Sequence, residues 1–248
     1  MKKTIFFLNL LAVLGLLMIS PALSAEMSLT SDQLEYNPEQ EKVFASGNVH
    51  FSRNGLDIYS ERCEGAIDGS YALFWDKLKG EGTLEGESLR FSADFLEARF
   101  GEDPYYAFKG KVDAVFGSKE LKADMVELSG DVLNAENLEH FRDEVSGISV
   151  SGDHFHGRME KGLILEFTIT QKVRILLSDG TGKETLVQGQ KAIYSKERGS
   201  LVVSGNARAV QGNRKITAEN LVVFPESDRI EAKGNPRITF SIRDQDKN

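Results

Sequence analysis

Residues 199–240, GSLVVSGNARAVQGNRKITAENLVVFPESDRIEAKGNPRITF, contain one phrase written twice. Leu201, Val203, Gly205, Ala207 and Ala209 alternate with their neighbours and pass through Gly205-Asn206. A polar turn at Gly212-Asn213 leads to Ile216-Thr-Ala-Glu-Asn-Leu221. After Pro225 to Asp228 the phrase returns as Ile230, Ala232, Gly234-Asn235, Ile238 and Phe240. Apolar residues at every second position specify half-buried strands, because successive strand side chains point to opposite faces.

The phrase extends backwards through the chain. A small residue, then an acid or amide, then an apolar residue recurs at Ser31-Asp32-Gln33-Leu34, Ser60-Glu61, Ala93-Asp94-Phe95-Leu96, Ala123-Asp124-Met125-Val126, Ser151-Gly152-Asp153, Gly189-Gln190 and Ala218-Glu219-Asn220-Leu221. The steps are 29, 33, 30, 28, 38 and 29 residues, the long one holding the polar insertion Ser178 to Glu184. Glycine follows at Gly47, Gly80, Gly110, Gly205 and Gly234, and is missing from the copies that begin at Ala123 and Ser151, so the repeat looks degraded in the middle. A fixed period of this size marks a stacked architecture. Residues 132–145 alone could form a helix, but Ala135-Glu-Asn-Leu138 echoes Ala218-Glu-Asn-Leu221 and favours a strand.

Each unit reads as two short strands with a turn, as at Arg53-Asn54-Gly55. In the first unit Val43, Ala45, Gly47, Val49 and Phe51 share a face, and Leu56 and Ile58 run back. Elsewhere the inward face includes Leu89, Phe91, Ala93 and Phe95; Val112, Ala114 and Phe116; Leu121, Ala123 and Met125; Leu163, Leu165, Phe167 and Ile169. A glycine recurring mid-strand marks a bend in every layer. The fold class is therefore all-β: about seven units of ~30 residues stacked as a bent, open antiparallel sheet rather than a closed barrel.

Lys2 and Lys3, an uncharged run from Ile5 to Ile19 and Pro21-Ala-Leu-Ser-Ala25 have the form of a secretory signal peptide, cleaved after Ser24 or Ala25. The run is short for a membrane span of about 20 residues; an uncleaved anchor is the alternative. Residues 26–243 then form a single domain, and 244–248 a polar tail. Removing residues 1–25 takes two lysines and no acid, leaving 28 basic against 38 acidic side chains, a net charge of −10. That balance argues against a nucleic-acid partner. Cys63, the single cysteine, excludes an internal disulfide and reads as a buried, inert thiol, with an intermolecular bridge as the alternative.

No catalytic constellation emerges. Gly180-Thr-Gly-Lys183 has Leu177 and Glu184 where a phosphate loop needs glycine and a hydroxyl residue, so it is a turn. Gly80, Gly82 and Gly86 do not have dinucleotide-binding spacing. His154 and His156 share a strand face, yet Asp153 points the other way and no third ligand is evident, so they read as solvated histidines. No serine or cysteine occupies a nucleophile elbow. The chain reads as a non-enzyme without metal or cofactor.

An open stack leaves unpaired backbone groups at its ends, where partners can add strands. Leu34 and Tyr36 mark the first edge; Ile238, Phe240 and Ile242 mark the last, partly blunted by Pro236. The apolar face could hold acyl chains, or its residues could pack on one another.

Leu34-Glu-Tyr36 … Val43-Phe-Ala-Ser-Gly-Asn-Val-His-Phe51 resembles the opening repeat of the OstA-like family, which includes the periplasmic bridge protein of lipopolysaccharide transport. Ile216-Thr-Ala-Glu-Asn-Leu221 … Ile230-Glu-Ala-Lys-Gly-Asn-Pro236 resembles it too. The resemblance implies a V-shaped β-jellyroll whose groove shields the acyl chains of lipid A. It also implies edge-strand joining to homologous jellyroll domains of inner- and outer-membrane transport proteins, or head-to-tail to further copies, in the periplasm. On that footing Val43, Ala45, Val49, Phe51, Leu56 and Ile58 are the groove residues. The alternatives are a β-scaffold that oligomerises through its edges without lipid, and the membrane-anchored partner of the same pathway.

Overall fold

The computed structural model describes residues 27–240 apart from 54, 85–86, 101–102, 146, 161–162, 179–182 and 228. Residues 1–25, with both cleavage positions, the core of the Ser178–Glu184 insertion, Ile242 and the polar tail lie outside the described residues. Sixteen strands follow in order: β1 Met27–Thr30, β2 Gln33–Asn37, β3 Lys42–Arg53, β4 Leu56–Ala66, β5 Tyr71–Leu84, β6 Glu87–Arg99, β7 Tyr105–Phe116, β8 Lys119–Ser129, β9 Val132–Asp143, β10 Ile148–Glu160, β11 Leu163–Ser178, β12 Glu184–Ser195, β13 Ser200–Gln211, β14 Arg214–Phe224, β15 Arg229–Lys233 and β16 Arg237–Phe240. A 3-10 turn, Pro225–Ser227, precedes β15. The all-β class stands, and residues 132–143 form a strand.

From β3 to β14 every strand pairs antiparallel with the next; β1 and β2 share β3, and β15 and β16 share β14. The result is one open sheet in which β3 to β14 are 11 to 16 residues long. These are longer than the two short strands per unit expected from sequence. Each crosses a corner halfway along, and the corner interrupts the alternation so that one strand reads as two.

The corners have two constructions. In β3, β5, β7, β11 and β13 two consecutive residues take left-handed φ: Gly47-Asn48, Asp76-Lys77, Gly110-Lys111, Gln171-Lys172 and Gly205-Asn206. Inward positions on either side then lie four apart, as in Ala45 and Val49 or Phe108 and Val112, and keep their parity. In β4, β6, β8, β12 and β14 the step is three residues and the parity flips. Ala93 is followed inside by Leu96, Ala123 by Val126 and Ala218 by Leu221. The ladder registers shift at the same places, between Ser46 and Val49, Ser92 and Phe95, and Lys122 and Met125. These are β-bulges, which bend a strand and re-aim its side chains.

Four sequence expectations are corrected by this geometry. Phe95 and Met125 are half-buried on the outer face, since the parity flips just before them. A second register shift, between Arg158 and Met159, puts Ile164 rather than Leu165 in the core. The corner of β5 is Asp76-Lys77, not Gly80. Gly80 is instead buried under Phe91, whose ring would lie 2.1 Å from a Cβ there. Nor are the middle copies degraded: Asn137 and Gln171-Lys172 make their corners without glycine.

Both repeated sequence markers belong to one device. Asn48 donates its side-chain amide to Asp32 (2.9 Å), Asn137 to Asp124 (2.8 Å) and Asn235 to Glu219 (3.0 Å). Lys77 reaches Glu61 at 2.7 Å and Lys172 reaches Asp153 at 3.0 Å. The acid of one strand thus accepts a hydrogen bond from the left-handed corner of its neighbour. Backbone bonds from Asp32 N to Gly47 O (2.8 Å) and Glu219 N to Gly234 O (2.9 Å) repeat the pairing at both ends.

The corners fold the sheet into two facing arms. Across the first arm runs an inward row: Leu34, Ala45, Cys63, Phe74, Leu96, Phe108, Val126, Ala135, Phe155, Ile169, Ala192, Val203, Leu221 and Ala232. A second row crosses the other arm from Leu29 and Phe51 to Ile216 and Ile238. Phe51 meets Phe74 edge-on (5.5 Å between centroids) and Phe91 meets Phe108 (5.2 Å), one ring from each arm. From Ala45 to Leu221 the first row is buried throughout. The arms fill the space between them with side chains, as interiors packed to crystal-like density do.

Candidate functional site

Where the rows run out, the interior opens. At the amino-terminal end a mostly apolar cavity of about 220 Å³ lies between the arms. Met27, Leu29, Leu34, Val43, Phe51, Cys63, Tyr71, Ala72 and Phe100 are among its walls. β1 and β2 form its rim. They are the two halves of one bent edge strand, each paired on one side only, and nearly every residue in them is exposed. A wider, more polar hollow of about 510 Å³ runs along the outside, bounded by Gln33, Phe44, Arg62 and Trp75.

The six residues assigned to a groove separate into three groups. Val43 and Phe51 line the cavity. Ala45, Val49 and Ile58 are sealed in the core behind it. Leu56, at the start of β4, packs half-buried against the core. Of the edge residues, Leu34 (53% exposed) and Tyr36 (58%) stand on β2, and Ile238 (54%) and Phe240 (55%) on β16. Leu34 also lines the cavity, so edge and cavity meet there. Among described residues the two edges, Met27 on β1 included, carry five of the eight exposed large hydrophobics, a clustering beyond the singly scattered apolar residues of an ordinary surface.

Sequence alternation, counted without its flips, misses Phe100, and a search for apolar residues alone passes over Arg53 although it is in phase. After the flip in β6, Leu96, Ala98 and Phe100 are successive inward positions. In β3 the series Val49, Phe51 continues to Arg53. Its guanidinium sits 4.4 Å from the Phe100 ring centre, a cation–π contact, and one of its nitrogens, Nη1, is shut off from solvent without a hydrogen-bond partner. Arg53 faces Met27 across the ladder.

Cys63 lies in the cavity wall, where burial pushes its thiol up to about 12, with Glu64 acting in the same direction. Burial likewise pushes the Tyr106 phenol up to about 12, Arg53 pulling the other way. At the rim Tyr71 donates to Glu64 (3.1 Å), which also takes Lys42 (2.6 Å); that bond raises the lysine. Far from the cavity His154 is exposed, and His156 bonds Asn134 at 2.8 Å. Among described residues no group of three or more His, Cys, Asp or Glu could hold a metal ion, and no helix is long and apolar enough to cross a membrane.

Residues 186–248, from β12 to the carboxy terminus, match the family model described as LptA/(LptD N-terminal domain) LPS transport protein. Among solved structures, the crystal structure of LptH from Pseudomonas aeruginosa aligns at 13% identity. It is described as the LptA homologous periplasmic component of the conserved lipopolysaccharide transport device. The alignment covers 88% of this chain and 95% of that one, with a TM-score of 0.22, a value at which superposition does not establish a common shape. Comparison with curated protein sequences gave no match.

Proposed function

With the family of its last strands an LPS-transport family, we propose that this protein is a periplasmic bridge component of lipopolysaccharide transport, taking acyl chains of lipid A between its two arms. One observation supports this above the others: an apolar interior that runs along the whole sheet and opens in a cavity at its amino-terminal end. The chain has no disulfide, and no strand ladder joins the free margins of the arms among described residues. The arms adhere through apolar contacts such as Phe51 with Phe74. An acyl chain entering between them exchanges one set of apolar contacts for another, so parting the arms around lipid exposes little apolar surface to water. Val43 and Phe51 meet the chain first, at the cavity; Ala45, Val49 and Ile58 meet it as it moves inward. The head group remains in water, and copies or homologous jellyroll domains join through β2 and β16.

Photo-crosslinkers at Val49 and Phe51 in cells test this. Lipopolysaccharide adducts at both, well above those at outward-facing His50, are expected; equal labelling at the three sites overturns the carriage. The filled interior favours one other reading, a scaffold that joins partners by its edges and holds no lipid, and it predicts that equal labelling.

A further inference from the structure

Arg53 stands out as a charge placed where the alternation of β3 calls for an apolar residue. Its neighbours across and above it, Met27 and Phe100, are walls of the end cavity. Nη1 is sealed from solvent with no hydrogen-bond partner, and among described residues no carboxylate pairs with the guanidinium. Arginine keeps its charge at every relevant pH, so the position holds an unneutralised cation with a spare donor. Buried donors without a partner are rare, and each calls for an explanation. The chain as a whole is acidic, with net charge −8, so general attraction of anions does not account for it.

We propose that Arg53 recognises the acidic head group, a phosphate or carboxylate, of an acyl amphiphile whose chain occupies the end cavity. The inference rests on the carriage reading for its ligand class. The cavity of about 220 Å³ equals roughly seven water volumes, room for a segment of one chain and not for several. Met27, exposed and flexible, moves aside for the head group. The guanidinium then gives a charge-assisted, planar pair of hydrogen bonds to two head-group oxygens.

Binding of dodecyl phosphate, dodecyl maltoside and inorganic phosphate to the full mature chain, each below micelle formation, tests it. A charge-assisted hydrogen bond predicts that dodecyl phosphate binds about ten- to a hundredfold more tightly than the neutral-headed maltoside. Chains short enough to lie wholly within the cavity should weaken by about fourfold per methylene removed. Arg53→Gln should bring the head-group ratio to about one, and Arg53→Lys should retain part of it. Equal affinities in the native protein, a ratio unchanged in Arg53→Gln, or inorganic phosphate competing as well as dodecyl phosphate each overturns the proposal, the last by showing a plain anion site. The native ratio stands as a test even if a variant fails to fold. Lipopolysaccharide crosslinking at Val49 and Phe51 reads carriage separately: its failure beside a preserved head-group ratio removes the carriage and leaves the Arg53 site, and the reverse removes Arg53 alone.

Discussion

Gly110 turns the corner of β7 at φ 76°, and a Cβ there would lie 2.3 Å from Asp94 Oδ2 and 2.8 Å from the Asp94 Cβ. Left-handed backbone strain alone costs an L-residue about 1–2 kcal/mol. Displacing the Asp94 side chain adds to it, so Gly110→Ala should destabilise the protein by about 2–3 kcal/mol. Gly212, in a hairpin at φ 55° with nothing within 4 Å of its Cβ position, carries the strain without the clash. Gly212→Ala should therefore cost about 1 kcal/mol. Urea unfolding of the two variants compares them, and equal losses would show that the corner is not wedged by its acid. The acid markers and glycine markers were both legible in the sequence. Their contact was not, because it lies across a ladder whose register depends on bulges in both strands. Cys63 permits a second test at this scale. With its thiol raised from 9.0 to about 12, the thiolate fraction at pH 8 falls roughly a thousandfold. Iodoacetamide should modify Cys63 far more slowly in the native protein than in urea; similar rates would mean that the amino-terminal cavity stands open to reagent.

Among elements, the bent strand is the unit on which the interior depends. Alternation identified strands in nearly every unit and grouped Val43, Ala45, Val49 and Phe51 correctly, because a two-residue left-handed corner preserves parity. It failed for Phe95, Met125 and Leu165, because a three-residue bulge step inverts parity and leaves no residue type unique to it. Phe74 and Phe95 separate the two cases. Phe74 is fully buried and spans the arms to Phe51, whereas Phe95 lies half-buried outside against Trp75 and Lys109. Phe74→Ala should cost about 3–5 kcal/mol, the range for an aromatic removed from a filled core. Phe95→Ala should cost about 1 kcal/mol, as ordinary changes on a half-exposed face do. Denaturant midpoints at unchanged m-value read both, and the opposite ranking would invert the phase of β6.

At the scale of the whole molecule, openness was legible and fullness was not. Terminal repeats without a closing partner already pointed to two free edges. Only packing across the arms, as in Phe91 with Phe108, shows that the described middle rows are buried and that there is space at the amino-terminal end. The two edges differ in chemistry and position: β2 carries Leu34 and Tyr36, β16 carries Ile238 and Phe240, and all four are more than half exposed. Joining them edge to edge is a heterologous contact, in which unlike surfaces meet and the chain of copies does not close. The native chain should accordingly show a sedimentation coefficient that rises with concentration. Tyr36→Asp blocks one edge and Phe240→Asp the other, by placing a charge in the face a partner strand must cover. Both positions are exposed, so neither variant should lower the unfolding midpoint appreciably. Each variant alone should remain monomeric, having lost one half of the contact. An equimolar mixture should form dimers and nothing larger, because the intact β16 of one can still join the intact β2 of the other. Dimers of either variant alone would show instead that like edges pair with like, and would end the head-to-tail arrangement.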